Sequence, residues 1–185
     1  MVWLRDEGIA PEQTLVVNRS TAPGGGTTPP PAVQNYRKEY RTTWYQAYAN
    51  GVRDGVWGDS LPQGYYGGRS YNSLLGFADM TRDLAGATIT AMALYVYARH
   101  WYGQTGVASI GAHGWTSSPV NFASSGRWFE MPGWGRGEGR WIAIPSSLWA
   151  NFQSGVYRGV TFENIGNASY GYWDANAVIA VNYKK

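Results

Sequence analysis

The sequence predicts an all-β protein, an antiparallel β-sandwich of jelly-roll type with one or two short helices. Three observations carry this. Apolar residues recur with period two over most of the chain. Glycine, with 25 residues, breaks the apolar segments at turn spacing. Aromatic residues make up 16% of the chain, and the 10 Trp and 14 Tyr far outnumber the 5 Phe. Rings with a polar handle suit strands and wet loops better than helical cores. The connections between apolar segments are long and uneven, which favours a jelly roll over an immunoglobulin arrangement. No repeat of roughly 20 to 50 residues is present, so solenoids and propellers are excluded.

The first strand starts at Tyr36, where Tyr36, Tyr40, Thr42, Trp44, Gln46 and Tyr48 share one face of an extended segment. Residues 50–72 are rich in Gly, Asp and Tyr and read as one long loop, a length that in a compact domain usually serves function. Asp79 to Gly86 predict a helical turn, with Asp79 as N-cap and Gly86 as the C′ stop. The strongest strand follows, Thr88 to Trp101. One face of it takes Ile89, Ala91, Ala93, Tyr95, Tyr97, Arg99 and Trp101; the other takes Met92, Leu94, Val96, Ala98 and His100. Both faces are largely apolar, so a central strand covered on both sides is expected.

Further strands are predicted at Val107–Ala112, Arg127–Met131 and Arg140–Ile144. Ser146 then caps a short helix in which Leu148 and Phe152 lie four apart and Gly155 ends the run, a lid for one end of the core. Val156–Glu163, Ser169–Trp173 and Ala177–Tyr183 complete the set. In the last, Ala177, Ile179, Val181 and Tyr183 point inward and Val178, Ala180 and Asn182 outward. The total is about nine strands.

The chain divides into an N-terminal arm, residues 1–35, and a sandwich domain, residues 36–185. The arm holds one strand-like run, Thr14-Leu15-Val16-Val17, and a Pro/Gly-rich linker over residues 21–31. Such a run cannot bury itself alone. A disordered terminus and an arm that pairs with a neighbouring subunit are equally compatible with it.

Composition excludes several classes. Without cysteine there is no disulfide framework, thiolate zinc site or cysteine nucleophile. The formal charge of +3 is spread along the chain, which argues against a nucleic-acid partner. No apolar run is long enough to cross a bilayer, so membrane insertion is not expected. The first residues carry Asp6 and Glu7 and no apolar core of a leader, so synthesis in the cytoplasm is expected. No motif calls for a cofactor. His100 and His113 lack a second ligand at metal-site spacing and read as structural histidines. No Gly-x-Ser-x-Gly elbow is present.

Carboxylates stand near aromatic rings at several points: Asp54 and Asp59 beside Trp57, Glu130 and Glu138 around Trp134, and Asp174 after Trp173. A glycosidase places two such acids in an aromatic cleft. Asp and Glu in glycine-rich turns more often cap backbone N–H groups. Asp54 and Asp59 also suggest a calcium loop, though their spacing matches no EF-hand. The rings weigh more. Trp57, Tyr65, Tyr66, Trp115, Trp134 and Trp173 all fall in predicted loops or strand ends beside glycines. Flat exposed rings stack on the apolar face of a sugar, with Asp, Asn, Gln and Arg to read its hydroxyls. The same residues suit a protein–protein interface or a core, and the sequence leaves these three uses open.

Several strings, in order, resemble a known family. They are Gln63-Gly64-Tyr65-Tyr66, Ser73-Leu74-Leu75-Gly76-Phe77, Leu84-Ala85-Gly86-Ala87-Thr88-Ile89-Thr90, His100-Trp101-Tyr102 and Gly111-Ala112-His113. A Trp141-x-x-Ile144-Pro145 segment, Phe152-Gln153-Ser154-Gly155 and Arg158-Gly159-Val160 follow. Together they resemble a domain of minor tail proteins of long-tailed phages that infect actinobacteria. The resemblance implies a virion component of the tail tip or baseplate, a homo-oligomer, and no catalytic motif. Three functions follow as expectations. The first is an adhesive tail protein, docked to other tail proteins through its arm and meeting host envelope polysaccharide through its rings. The second is a glycan depolymerase working through a carboxylate pair. The third is an architectural capsid or tail decoration protein with its rings buried between subunits.

Overall fold

A computed structural model describes residues 33–103, 105–165 and 170–185. The arm up to residue 32, including the Thr14–Val17 run and the Pro/Gly stretch, lies outside the described residues, as does Ser169 at the start of one expected strand. Residues Val33–Lys185 form one compact unit.

The described chain is an antiparallel β-sandwich. Its first segment, β1 (Asn35–Ala49), pairs with β11 (Val178–Lys184) through its first half, from Asn35↔Lys184 to Arg41↔Val178. Past a register shift between Thr42 and Trp44 its second half pairs with β4 (Arg69–Phe77). A bulge lets one strand serve two sheets by turning its axis at the corner. The strand β3 (Ser60–Tyr66) makes a second corner: residues 60–63 pair with β10 (Gly171–Asp174), residues 64–66 with β4. The central strand of the first sheet, β5 (Thr88–Trp101), pairs with both β11 and β10 along one edge. The pairings β1–β11–β5–β10–β3–β4–β1 therefore close a circuit, which leaves those strands no free edge at the corners.

The other edge of β5 carries β8 (Glu138–Ala143). The second sheet extends from β4 through β9 (Gly159–Phe162) and β6 (Thr105–His113) to β7 (Arg127–Gly135), with the short β2 (Val52–Asp54) on the far side of β1. Most connections cross from one sheet to the other, as the jelly-roll expectation requires. Among the described residues the strands number eleven.

Three of them, β2, β3 and β4, have no counterpart among the expected segments: residues 50–72 form β2, β3 and the start of β4 and not a long loop. The reason is legible in the buried set: Leu61, Pro62, Gln63 and Gly64 are all buried, and only the first looks like a strand core residue. Gln63 is tolerated inside because its amide donates to the Val107 carbonyl at 2.7 Å and accepts from the Ser109 N–H at 3.1 Å. It stitches β3 to β6 where no ladder does.

Two short helices lie between strands. The first, α1 (Thr81–Leu84), begins one residue later than its expected cap: the Asp79 carboxylate accepts from the Thr81 N–H, while Met80 holds the N-cap position. Ser146 does not cap the second. It opens a 3-10 turn, Ser146–Leu148, and α2 (Trp149–Ser154) follows with Leu148 at its N-cap and left-handed Gly155 at its end. A tight turn in front of the helix shifts the start by three residues, so the serine is too early to reach the free N–H groups. Phe152 is fully buried and the Gln153 amide donates to the Leu84 and Ala87 carbonyls at 2.7 and 2.8 Å. Helix α2 is thus fastened over the core and onto α1.

Only one face of β5 is buried: Met92, Leu94, Val96 and Ala98 are in the core, while Ala91 is exposed and Ala93, Tyr95 and Tyr97 are half-buried. Apolar content on its second face reflects small residues and amphipathic rings, not a covering layer. The alternation also breaks. A register shift opposite Tyr172/Trp173 places Trp101 in the core with the even-numbered face. In β11 the inward residues are as expected, and the outward Val178 and Ala180 are also shielded, at 8% and 4% exposure.

The core centres on three indoles. Trp173 meets Trp101 and Trp134 edge to face at 5.1 and 4.9 Å and stacks flat on Phe162 at 4.7 Å. Glycines make room for them: a Cβ on Gly106 or Gly171 would stand 2.1 or 2.2 Å from the Trp101 ring.

Candidate functional site

The sandwich brings four turns together around a run of aromatic rings. Strand β5 ends at His100 and Trp101, and the following Tyr102 donates its backbone N–H to the Tyr170 carbonyl at 2.9 Å, just ahead of β10. Along β10 the side chains alternate, so that Trp173 is in the core while Tyr172 and His100, paired across the strands, stack at 5.1 Å. The β3–β4 hairpin turns on Gly67 and Gly68, with φ of 57° and 78°, a conformation that costs other residues strain. It presents Tyr66 to Tyr170 at 4.7 Å in a flat stack and to Tyr102 at 5.8 Å. Tyr71 joins Tyr170 to Trp57, and Trp57 reaches Tyr172 at 6.0 Å.

Seven rings therefore run continuously from Tyr102 to His100. Tyr102 and Tyr66 are the most open, at 69% and 51% exposure. Trp57, Tyr170, Tyr172 and His100 are half-buried, and Tyr71 forms the floor. Burial and the neighbouring phenols Tyr71, Tyr172 and Tyr66 push the Tyr170 hydroxyl up to about 12, so it stays a hydrogen-bond donor at neutral pH.

The acids near this run hold it in place. Asp54 accepts from the Val56 N–H at 3.1 Å and the Trp57 indole N–H at 3.2 Å, which fixes the ring. Arg99 binds Asp59 through both carboxylate oxygens at 2.8 and 2.7 Å and Asp174 at 2.8 and 2.6 Å. One guanidinium so ties β5, β10 and the β2–β3 connection together. That contact lowers the Asp59 pKa below the ordinary carboxylate range. Glu138 is likewise lowered, by Arg140 and by the Gly135 N–H at 2.6 Å. A glycosidase acid needs the opposite displacement. Glu130 is exposed on β7 opposite Ser109. Among the described residues, no group of three His, Asp or Glu side chains is placed to hold a metal ion, and no helix is long and apolar enough to cross a membrane.

The candidate rings named by sequence divide three ways. Trp57 and Tyr66 belong to the run. Tyr65 is exposed at 39% and projects from the opposite face of the same hairpin strand, and Trp115, exposed at 43%, stands on the β6–β7 loop. Trp134 and Trp173 do not line a rim: both are at 0% exposure. The glycines beside them admit other parts of the core, not a ligand. Sequence reasoning missed Tyr102, Tyr170, Tyr172, Tyr71 and the stacking role of His100. Period two around Trp173 would have pointed Tyr170 and Tyr172 away from it.

The chain matches no protein-family model, and no curated protein is significantly similar to it.

Proposed function

We propose that this chain is a non-enzymatic attachment protein of a bacteriophage tail tip that holds envelope polysaccharide on its tyrosine-rich face. The observation that supports the reading best is the unbroken run of seven rings from Tyr102 to His100, open at Tyr102 and Tyr66 and rimmed by hydroxyl donors. Exposed apolar area of this kind marks contact surfaces. Rings wedged against one another lose little rotamer freedom on binding, so the face meets a ligand already ordered. The order of strings along residues 63–160 that resembles actinobacteriophage minor tail proteins supports the tail-tip placement. The carboxylate-pair alternative is disfavoured by the engagement of Asp54, Asp59, Asp174 and Glu138 in structural bonds.

The test has two arms. Antibody against the purified chain should decorate the tail tip of virions in electron micrographs; decoration of the capsid alone would refute the placement. The full chain should be retained on actinobacterial cell-wall polysaccharide and release no new reducing ends, with Tyr66→Ala and Tyr102→Ala each weakening retention. Retention indifferent to both substitutions would sink the binding face.

A further inference from the structure

Trp115 belongs to a second concavity, which shares no residue with the tyrosine run. It is a groove of about 220 Å³ with Trp44 and Trp115 on its sides, Thr43 and Thr116 beside them, and Asp79 with Arg158 on its rim. Four chain segments build it: β1, the β4–α1 connection, the β6–β7 loop and the stretch between α2 and β9. Backbone bonds lock them together. The Phe77 N–H donates to the Arg158 carbonyl at 3.1 Å, the Arg158 N–H to the His113 carbonyl at 2.8 Å, and the Ala78 N–H to the Arg41 carbonyl at 3.2 Å. Trp44 occupies the space above Gly76, where any Cβ would stand 2.1 Å from the indole. Its other neighbour is the His113 ring at 5.2 Å.

The rim chemistry is specific. Arg158 Nη1 pairs with Asp79 Oδ1 at 3.0 Å, and the Thr81 N–H and hydroxyl contact that same oxygen. Arg158 Nε is committed to the Gly155 carbonyl at 3.1 Å. These bonds leave Asp79 Oδ2 as an acceptor next to the Arg158 guanidinium, a donor group whose Nη1 spends one of its two N–H bonds on Asp79. An acceptor and a donor side by side match two neighbouring hydroxyls of a sugar ring, while a half-exposed indole offers the flat apolar surface that the ring's C–H face needs. The two charges cancel, so the groove offers no net countercharge to an ionised ligand. Its volume falls below the range of about 300 Å³ and upward usual for drug-sized ligands, which limits the occupant to a single ring.

We infer that the groove between Trp44 and Trp115 is a second binding site, taking one neutral sugar unit. It rests on the glycan reading of the tyrosine face for ligand class alone and uses none of its residues. The test is titration of the ¹⁵N-labelled full chain with methyl glucoside, methyl galactoside, methyl mannoside, N-acetylglucosamine and glucuronate, reading the indole N–H resonances. The Trp44 and Trp115 signals should move saturably with at least one neutral sugar. Trp115→Ala should abolish the shift at Trp44. Asp79→Asn, which keeps an oxygen for Thr81, should weaken binding at least fivefold, and Tyr66→Ala should leave it unchanged. Absence of any shift at Trp44 and Trp115 up to about 50 mM sugar, a concentration that populates even a weak site, would overturn the inference. So would glucuronate binding more tightly than every neutral sugar. Shifts confined to Trp57 would overturn the groove and leave the tyrosine face standing, whereas groove shifts without polysaccharide retention would do the reverse.

Discussion

His113 should make the stability of this domain fall between pH 6.5 and 4.5, before most carboxylates titrate. The ring is 1% exposed. Its Nε2–H donates to the Leu75 carbonyl at 2.9 Å and its Nδ1 accepts from the Trp115 N–H at 3.1 Å, so the partners assign the neutral tautomer. Burial lowers its pKa from 6.5 to about 4. The unfolded chain therefore binds a proton below pH 6.5 that the folded domain refuses until about pH 4. Stability from this group is complete above pH 6.5 and is lost as pH falls toward 4. At about 1.4 kcal/mol per pH unit the full loss is roughly 3 kcal/mol, most of it gone by pH 4.5. For a domain of this size that is roughly 5 to 10 °C in Tm. The assay is a series of thermal melts from pH 7.5 to 4.5 on the wild type and on His113→Gln, which removes the ring titration and keeps a donor and an acceptor. Asp59, Asp79, Asp83 and Glu138, all lowered by hydrogen bonds and ion pairs, begin to give up their contributions at about pH 5 and lose most of them below this window, equally in the two proteins. The variant's curve should be flatter by the amount stated. Parallel curves for the two proteins would refute the reasoning.

Four other outcomes follow from the same structure. Trp173→Ala removes the centre of the indole cluster and should cost about 3 to 5 kcal/mol in denaturant melts. Gly171→Ala drives a methyl into the Trp101 ring and should cost about 1 to 3 kcal/mol or more, a small mutation with a core-sized effect. Tyr102→Ala, at an exposed ring, should leave stability within about 0.5 kcal/mol while weakening polysaccharide retention, which separates contact from folding. Arg99→Met releases Asp59 and Asp174 together, and hydrogen exchange should show faster opening of residues 54–60, with Arg99→Lys only partly restoring protection.

Local periodicity made much of the fold legible. The strands at 88–101 and 178–184 follow from alternation, because a pleated backbone sends successive side chains to opposite faces whatever lies around it. The stop of α2 at Gly155 follows from a residue that takes φ of 79° without strain. The stretch 50–72 was not legible, because its buried residues include Pro62, Gln63 and Gly64. Their burial depends on partners distant in sequence: Gln63 is satisfied by Val107 and Ser109.

For the candidate site the division is sharper. Composition and residue spacing alone establish a strand protein rich in tryptophan and tyrosine, with rings placed at turns. They do not determine which rings face outward, since Trp57 and Trp115 share their glycine-rich surroundings with Trp134 and Trp173. Tertiary structure decided that. A bulge opposite Tyr172 and Trp173 turned Trp101 inward, glycines at 106 and 171 opened space against it, and the corner in β3 carried Tyr66 to Tyr170. Alternation is a property of one strand, but burial is a property of what packs against it, and packing is settled only when the two sheets close.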